Sequence, residues 1–402
     1  MELDDWIEEV TSDGAIWFLK RLSGNDTQLT GGHQAGPYIP RELGFNLVPE
    51  FEDLSQKNPR IDVALEVMPA AYEQISNIIY YNNKFHENPS GGRNEMRLTR
   101  LGGQENPLLD VENTGALTIF AFTRRGALYC KVWVCRSESE EELVEDLVGP
   151  VEPAESLIWN PEKRSRKDTS DSGPLSCQLQ PSDIPEGWLT EFPTGLQIIE
   201  KSISLRPDSG LPVDERLTRR RDCEFEVFRS VERAFFTPKI RSGFTSLEEF
   251  LSLAQSVLQS RKSRAGKSLE YHAKAIFEDE GLREGVDFAY NVRIEGNKKP
   301  DFLFPSVEKY NDKSFPDSAI TVLGAKTTCK DRWRQVLNEA DRARTKHLLT
   351  LQEGVSENQF AEMTTAGLQL VVPEKLHAKY PKGVRPHLMT LRGFIDRVTS
   401  PV

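Results

Sequence analysis

One stretch, residues 297–339, restricts the fold more than any other part of the chain. It contains a strand-like run that opens at Asp301 and a second run, Ile320 to Lys326, that ends on a lysine. A helix is predicted after the lysine because apolar residues recur there at helical spacing, at Trp333, Val336, Leu337 and Ala340. Two strands and a helix in this order can bring Asp301, Lys326 and Glu339 together at one end of a sheet.

Two carboxylates and a lysine are groups that metal-dependent hydrolysis of a phosphodiester requires. The carboxylates hold a divalent cation, which neutralises developing charge and generates hydroxide, and the lysine stands beside the attacking water. In the common form of such nuclease sites the second acid precedes the lysine by two residues, on the same face of the strand. Here that position is Gly324, and Glu339 is the candidate replacement. Tyr310, in the spacer, is a further candidate. The competing interpretation is chance, since a Pro-Asp pair and a lysine occur in many soluble chains.

A charged cluster follows the lysine. It consists of Lys330, Asp331, Arg332 and Arg334. Arginine or lysine can bind guanine through two hydrogen bonds and a carboxylate can accept one from cytosine N4, so this set is suited to reading G·C pairs in the major groove. The alternative is a solvated helix face, although such a face seldom begins so soon after a candidate catalytic lysine.

Long strings of the sequence resemble restriction endonucleases of the EcoRII family. Around the candidate site they are NKKPDFLFPS, KTTCKDRWRQ, LNEAD and HLLTLQEGVS. Upstream they are RKSRAGKSLE and GFTSLEEF, and towards the N-terminus KRLSGNDTQLTGGHQAGPYIP, GRNEMRLTR and ENTGALT. The resemblance therefore covers nearly the whole chain.

The resemblance implies a type IIE enzyme of the PD-(D/E)xK superfamily, a Mg²⁺-dependent homodimer that cuts duplex DNA at CCWGG. Asp301 and Glu339 would then hold the metal, Lys326 would position or activate water, and Tyr310 would orient the site. The N-terminal domain would bind a second copy of the target as effector and otherwise occlude the catalytic cleft. An alternative from another class is a DNA-binding regulator with a degenerate nuclease fold, because Gly324 breaks the usual motif.

Length and composition predict two domains. A chain of 402 residues is too long for one ordinary domain core. Residues from about 160 to 185 are rich in Pro, Ser, Asp and Lys and lack periodicity, which is typical of a linker. We therefore expect an effector DNA-binding domain over residues 1–174, with the linker at its C-terminal end, and a catalytic endonuclease domain over residues 175–402.

The charge of the chain excludes one class of function. A formal net charge of -11 argues against a nonspecific nucleic-acid coat, which needs a broadly basic surface. It allows a site-specific enzyme with local basic clefts, and residues 261–267 carry basic side chains and no acid. The acidic start, MELDDWIEEV, does not have the pattern of a signal peptide, and no apolar run approaches the ~20 residues of a membrane span. We expect a cytoplasmic protein.

The cysteines indicate neither a zinc site nor a disulfide framework. They number 5, are widely scattered and form no CxxC pair. Buried thiols are expected.

The first domain is predicted to be mainly β. Alternating apolar residues predict strands near residues 63–67, 78–81, 93–99, 117–122 and 127–135, and the resemblance implies a pseudobarrel related to B3 DNA-binding domains. In GRNEMRLTR a period of two places Arg93, Glu95 and Arg97 on one face. They could contact guanine and cytosine edges, or form a surface ladder of ion pairs. The resemblance implies that they bind effector DNA together with His33, Tyr38 and Lys84. Met96 departs from the family, which has a basic residue there.

The second domain is predicted to be an α/β sandwich of the restriction-endonuclease type. Arg221 and Phe225 stand four residues apart on a predicted helix and could sandwich an extruded base, or be a core phenylalanine beside a solvated arginine. TSLEEFLSLAQSVL begins with a capping box, Ser246 to Glu249, and its apolar residues at helical spacing predict a scaffold helix. Glu270, beside the apolar stripe of SLEYHAKAIF, is a candidate outer metal ligand. Beyond the site we expect a strand at 346–351, a helix from 356 and a strand at 368–372.

Overall fold

The computed structural model describes residues 1–30, 36–86, 91–103, 105–161, 165–168, 177–330 and 332–400. The chain divides into two compact units. The first comprises Met1–Asp171, Gln352–Phe360 and Ala378–Pro386, and the second comprises Ser172–Leu351, Ala361–His377 and His387–Val402. The domain boundary near residue 174 stays a prediction.

The first unit is built on a large sheet. Its strands are β1 (Ile16–Arg21), β2 (Tyr38–Ile39), β3 (Arg60–Met68), β4 (Tyr72–Tyr81), β5 (Glu95–Thr99), β6 (Leu117–Arg125), β7 (Ala127–Val134), β8 (Ser156–Asn160) and β9 (Ser165–Asp168). They lie in the order β2-β5-β4-β3-β7-β6-β1-β8-β9, with β3 and β7 parallel and the other pairs antiparallel. The helices of this part are α1 (Leu3–Ser12), α2 (Arg41–Leu47) and α3 (Glu138–Val148).

Both faces of this sheet are buried along most of β1 and β6. In β1, Phe18 belongs to one apolar cluster, whereas its neighbour Trp17 belongs to another, because successive side chains of a strand point to opposite faces. Phe18 packs against Phe120 with ring centroids 5.7 Å apart. On the other face α1 contributes Trp6, whose ring centroid lies 5.7 Å from that of Trp133. The predicted mainly β character of the N-terminal part is confirmed.

One strand lies where the sequence indicated only a linker. Residues 165–168 form β9, which pairs antiparallel with β8. Composition could not reveal this strand, because backbone pairing at a sheet edge requires no apolar periodicity.

The second unit contains a smaller, mixed sheet. Its strands are β10 (Ala289–Tyr290), β11 (Phe302–Phe304), β12 (Thr321–Ala325), β13 (Lys346–Leu349) and β14 (Leu368–Val371), and they lie in chain order. β10, β11 and β12 pair antiparallel, whereas β12, β13 and β14 pair parallel. The later helices of the described chain are α4 (Glu186–Thr190), α5 (Gly195–Leu205), α6 (Val213–Arg241), α7 (Leu247–Asp279), α8 (Val307–Asn311), α9 (Trp333–Leu337), α10 (Glu357–Thr365) and α11 (Leu391–Thr399).

The sheet of the second unit packs between two apolar layers. On one side Phe277 of α7 and Phe394 of α11 join Leu323 of β12 in a single cluster. On the other side Val322 packs with Ala340, beyond α9. The α/β sandwich predicted from the sequence is confirmed. Among the helices that the structure describes, none is both long and apolar enough to cross a membrane.

Helix α7 begins with the predicted cap, and its first turns are exposed. The Ser246 side chain accepts a hydrogen bond from the Glu249 N–H at 3.1 Å, while the Glu249 carboxylate accepts one from the Thr245 N–H at 2.7 Å. Leu247 and Leu251 are 65% and 47% exposed. The predicted helix is present, and its first turns are exposed. Periodicity shows that a helix has an apolar stripe, but not whether another element covers it.

The cysteines are only partly as expected. Cys177 and Cys223 form a disulfide, with Cα atoms 5.2 Å apart. The prediction of thiols is wrong for this pair, because the partners are separated by 46 residues and only the fold brings them together. Cys130, Cys135 and Cys329 are buried thiols.

Candidate active site

Strands β11 and β12 place Asp301 beside Lys326. They run antiparallel with Phe302 opposite Leu323, so Asp301, just before β11, lies near the end of β12. Asp301 Oδ2 accepts a hydrogen bond from the Ala325 N–H at 2.8 Å and another from Lys326 Nζ at 3.1 Å. Burial disfavours the charge of Lys326, but the charge of Asp301 and its hydrogen bond, together with the charges of Glu339 and Glu270, raise the pKa of the lysine. The site therefore contains a lysine cation bound to a buried carboxylate.

Glu339 lies just beyond the short helix α9. The helix ends at Leu337 instead of continuing for the predicted further turn, and the Glu339 N–H bonds to the carbonyl of Val336, three residues back, at 3.2 Å. Glu339 Oε2 is buried and has no hydrogen-bond partner among the described residues. Burial and then the charge of Asp301 raise the pKa of Glu339 to about 8, although Lys326 opposes them. A bound cation would favour the charged form of Glu339, because its positive charge would offset the negative charge of Asp301.

At Gly324 there is no room for a side chain, because Val336 of α9 packs directly against it. A Cβ at this position would lie 2.6 Å from Cγ2 of Val336 and 3.1 Å from Cγ1. Unbonded carbon atoms prefer separations of about 3.5–4.0 Å, so no larger residue fits unless the Val336 side chain moves. The strand position that carries an acid in the common motif is thus closed, and the helix that closes it leads the chain to Glu339.

Glu270, on α7, is a third acid of the same cluster. It is buried and accepts hydrogen bonds from Lys267 Nζ at 2.8 Å and from the Tyr290 hydroxyl at 3.0 Å. Burial and the charge of Asp301 raise the pKa of Glu270, and Lys267 lowers it. Glu270 also acts on the pKa of Glu339. The structure therefore brings Asp301, Glu339 and Glu270 into one electrostatic group around the lysine.

The acids suit a divalent cation that takes few protein ligands. Within the described residues no three His, Cys, Asp or Glu side chains stand close enough to form a ready-made metal cage. Magnesium usually binds one or two carboxylates and keeps several waters, so such a cage is not required. The unpartnered Oε2 of Glu339 is the structural feature that such an ion would satisfy.

Tyr310, on α8, lies in a neighbouring network. Its hydroxyl donates to Glu295 Oε1 at 2.5 Å, and the same oxygen accepts a hydrogen bond from the Asp341 N–H at 2.8 Å. Lys346, buried on β13, donates to the carbonyls of Ala340 and Ala343. These hydrogen bonds hold the segment that follows Glu339 in place. Among the described residues, Tyr310 forms no hydrogen bond with Asp301 or Lys326.

The charged cluster after the lysine is placed in part. Lys330 and Arg332 are half-buried in the segment that joins β12 to α9, and Asp331 lies outside the described residues. Arg334 lies on α9, with its guanidinium 4.5 Å from the centre of the Trp333 ring and 3.2 Å from Glu362. The described members of the cluster therefore lie on α9 and on the segment that leads into it.

Arg221 and Phe225 lie on α6 and contact residues of α7. Arg221 is buried, and its Nε donates to Ser268 Oγ at 3.3 Å. Above the Phe225 ring stands Arg264 of α7, 4.8 Å from the ring centre and 3.6 Å from the buried Glu224 carboxylate. The interpretation of Arg221 as a solvated arginine is wrong, because α7 covers it.

The basic segment 261–267 is largely paired within its own unit. Arg261 binds Glu232 at 2.6 Å, Arg264 lies beside Glu224, and Lys267 binds Glu270. Most of its charge is thus neutralised by acids that the sequence pattern did not connect to it.

The residues expected to contact effector DNA lie on and beside β5. Met96 and Leu98 are buried, whereas Glu95 and Arg97 face the other way, as the period of two predicted. Arg97 binds Glu95 at 3.1 Å and lies opposite Tyr38 of β2. One ion pair of the ladder weighed for this face, that of Arg97 and Glu95, is therefore present in the described part of the chain.

Arg93 and Lys84 lie next to this face. The Arg93 guanidinium stands 5.4 Å from the centre of the Tyr81 ring, and its backbone carbonyl accepts a hydrogen bond from the Lys84 N–H at 3.1 Å. His33 lies outside the described residues.

Two side chains of the site gave no signal in the sequence. Tyr290 lies on a two-residue strand, too short to show a period. Lys346 opens a predicted strand, where a lysine is ordinarily an exposed edge residue. A search for polar residues within predicted buried strands could have found Lys346.

Models of known families match both parts of the chain. The model described as EcoRII C terminal matches residues 228–395, and the model of the N-terminal part of restriction endonuclease EcoRII matches residues 11–163. The type II restriction enzyme EcoRII of Escherichia coli is 42% identical over 407 residues, which cover 98% of this chain and 97% of that enzyme. The type II restriction enzyme SsoII of Shigella sonnei is 29% identical over 202 residues, 43% of this chain and 64% of that enzyme.

Solved structures are similar to parts of the chain. Metal-depleted Ecl18kI in complex with uncleaved DNA has a TM-score of 0.41 and 21% identity, covering 55% of this chain and 84% of that one. The B3 domain of the UbaLAI restriction endonuclease with cognate DNA has a TM-score of 0.26 and 21% identity, covering 39% of this chain and 98% of that one.

Proposed function

The chain belongs to the EcoRII family of restriction endonucleases and is a type II site-specific deoxyribonuclease; we propose that it cuts duplex DNA at CCWGG with Mg²⁺ as its cofactor. Family membership sets aside the alternative of a DNA-binding regulator without catalytic activity. The proposal is tested by incubating the protein and Mg²⁺ with plasmid of mapped CCWGG content and sequencing the ends. Ends confined to CCWGG are expected. Ends at another sequence, or no cleavage, would contradict the proposal.

We assign the chemistry to the acids and the lysine at the ends of β11 and β12. The bound cation would stabilise charge that develops on the phosphate and make water a better nucleophile. Asp301 and Glu339 would hold it, with Glu270 as an outer ligand. Lys326 positions the attacking water, and Tyr310 orients the site through the segment that follows Glu339.

One observation carries this assignment. Asp301 Oδ2 is bound to Lys326 at 3.1 Å, while the buried Oε2 of Glu339 lacks a partner among the described residues. A structural ion pair needs no further acid of this kind, because burying an unpaired carboxylate oxygen is costly. An arrangement built to hold a cation does need it.

We propose that base reading is carried by the segment between the lysine and α9. Lys330, Asp331 and Arg332 would read the outer C·G pairs, with Arg334 adjoining them. Arg221 and Phe225 would accommodate an extruded base, which the half-buried ring of Phe225 supports.

We further propose that two DNA copies and two protein copies take part. Residues 1–174 would bind a second CCWGG site as effector through His33, Tyr38, Lys84, Arg93, Glu95 and Arg97, and would inhibit cleavage in its absence. Residues 175–402 would form the catalytic domain, and the enzyme would act as a homodimer in the cytoplasm. The polar face of β5 supports this assignment. It carries both an arginine, Arg97, and a carboxylate, Glu95, which are the groups that reading a G·C pair requires.

A further inference from the structure

The hydroxyl of Tyr290 joins a strand of the catalytic sheet to Glu270. Tyr290 ends β10 and lies opposite Phe302 of β11. The next residue, Asn291, donates its N–H to the carbonyl of Asp301 at 2.9 Å. The backbone of Tyr290 is thus fixed relative to Asp301, and its hydroxyl reaches Glu270 Oε2 at 3.0 Å.

The ring of Tyr290 is held in place by aromatic neighbours. Its centroid lies 5.3 Å from that of Phe302 and 6.1 Å from that of Tyr271. Lys267, the other described partner of Glu270, has a side chain that is 41% exposed on the same helix. A long exposed lysine can turn to solvent at little cost, whereas a packed phenol cannot. Of the two partners of Glu270, Tyr290 therefore has the more fixed geometry.

We propose that Tyr290 is a positioning residue that holds the Glu270 carboxylate at the edge of the cation site, so that Glu270 completes the binding of the metal. This inference rests on the proposed function of the acids. Tyr290 touches neither the cation nor DNA in this role, and acts through the orientation of Glu270 alone. A phenol suits the task because it donates one hydrogen bond without adding a charge that would compete with the metal.

The test compares Tyr290→Phe with Tyr271→Phe, which removes the hydroxyl of the adjoining ring. Mn²⁺ binding to the DNA-free enzyme is followed by electron paramagnetic resonance, and cleavage is measured against Mg²⁺ concentration. We expect Tyr290→Phe to weaken Mn²⁺ binding and to raise the Mg²⁺ concentration for half-maximal cleavage, each by about tenfold, as for one lost charge-assisted hydrogen bond. Affinity for CCWGG duplex and the melting temperature should match those of Tyr271→Phe, which should bind metal as the parent does.

A double variant separates positioning from a general structural effect. If Tyr290 acts through Glu270, then Tyr290→Phe should add nothing to the metal-binding defect of Glu270→Gln. An equal loss in both backgrounds, or parent-like metal binding by Tyr290→Phe, would overturn the inference. Failure of the proposed function is distinct, because the unsubstituted enzyme would then show no divalent-cation requirement at all.

Discussion

Val336 occupies the space that a side chain at residue 324 would need: its Cγ2 lies 2.6 Å from the position of a Cβ on Gly324. The common nuclease motif has an acid at this position of the strand. In this chain an acid at residue 324 would overlap Val336 of α9. The acid is supplied instead by Glu339, which follows that helix. The glycine at residue 324 and the use of Glu339 as the second acid thus both follow from the packing of Val336 against the strand.

The packing at Gly324 predicts that restoring the common motif will fail. Gly324→Asp should destabilise the protein by about 2 kcal/mol through overpacking and should reduce cleavage, because Val336 and then Glu339 must move. Thermal melting and cleavage rate measure this. Gly187→Asp is the control, since nothing lies within 4 Å of a Cβ there. Pairing Gly324→Asp with Val336→Ala should recover part of the stability. A fully stable, fully active Gly324→Asp variant would contradict the packing argument.

The proposed regulatory role of the N-terminal part predicts the behaviour of a truncated enzyme. Residues 175–402 should cut single-site DNA at least as well as the full chain does. Adding a CCWGG oligonucleotide should stimulate the full chain and leave the fragment unchanged. Cleavage of one-site and two-site plasmids is the measurement. A fragment that folds and binds DNA but does not cut would refute autoinhibition.

Buried Glu224 predicts an acid-dependent contribution to stability. Burial raises its pKa, but Arg264, His272 and Arg221 outweigh burial and lower the pKa to about 2. A carboxyl whose pKa is lowered on folding stabilises the protein above its unfolded value, near 4.5, and loses that effect as pH falls towards 2.

Glu224→Gln should therefore cost about 3 kcal/mol at pH 7, and the difference from the parent should shrink between about pH 4.5 and 2. Melting curves across this range measure it. Glu278→Gln, which alters an exposed ion pair with Lys274, should cost much less. A difference that stays constant with pH would exclude Glu224 as the titrating group.

The sequence was informative where neighbouring residues determine geometry. Asp301 and Lys326 stand at the ends of two adjacent strands, so their meeting follows from strand pairing alone. Strands β3 to β7 of the first unit were predictable from the period of two in the residues themselves, whereas β1, β2, β8 and β9 were not predicted. Met96 and Leu98 are buried as that period requires.

What could not be predicted depends on contacts distant in sequence. The Cys177–Cys223 disulfide and the stacking of Arg264 on Phe225 connect elements whose spacing carries no pattern. The exposure of Leu247 depends on the absence of a covering element within the described residues, which periodicity cannot reveal. The hydrogen bond from Tyr290 to Glu270 joins a two-residue strand to a long helix, and no sequence pattern predicts it.

The most direct test of the central claim is single-turnover cleavage of CCWGG duplex by Asp301→Ala and Lys326→Ala, measured beside specific binding of the same duplex in Ca²⁺. The account predicts that both variants lose cleavage by about a thousandfold or more, since each removes a group that acts on the transition state, while binding stays near that of the parent. Cleavage at the parent rate by either variant would contradict the assignment of the catalytic site.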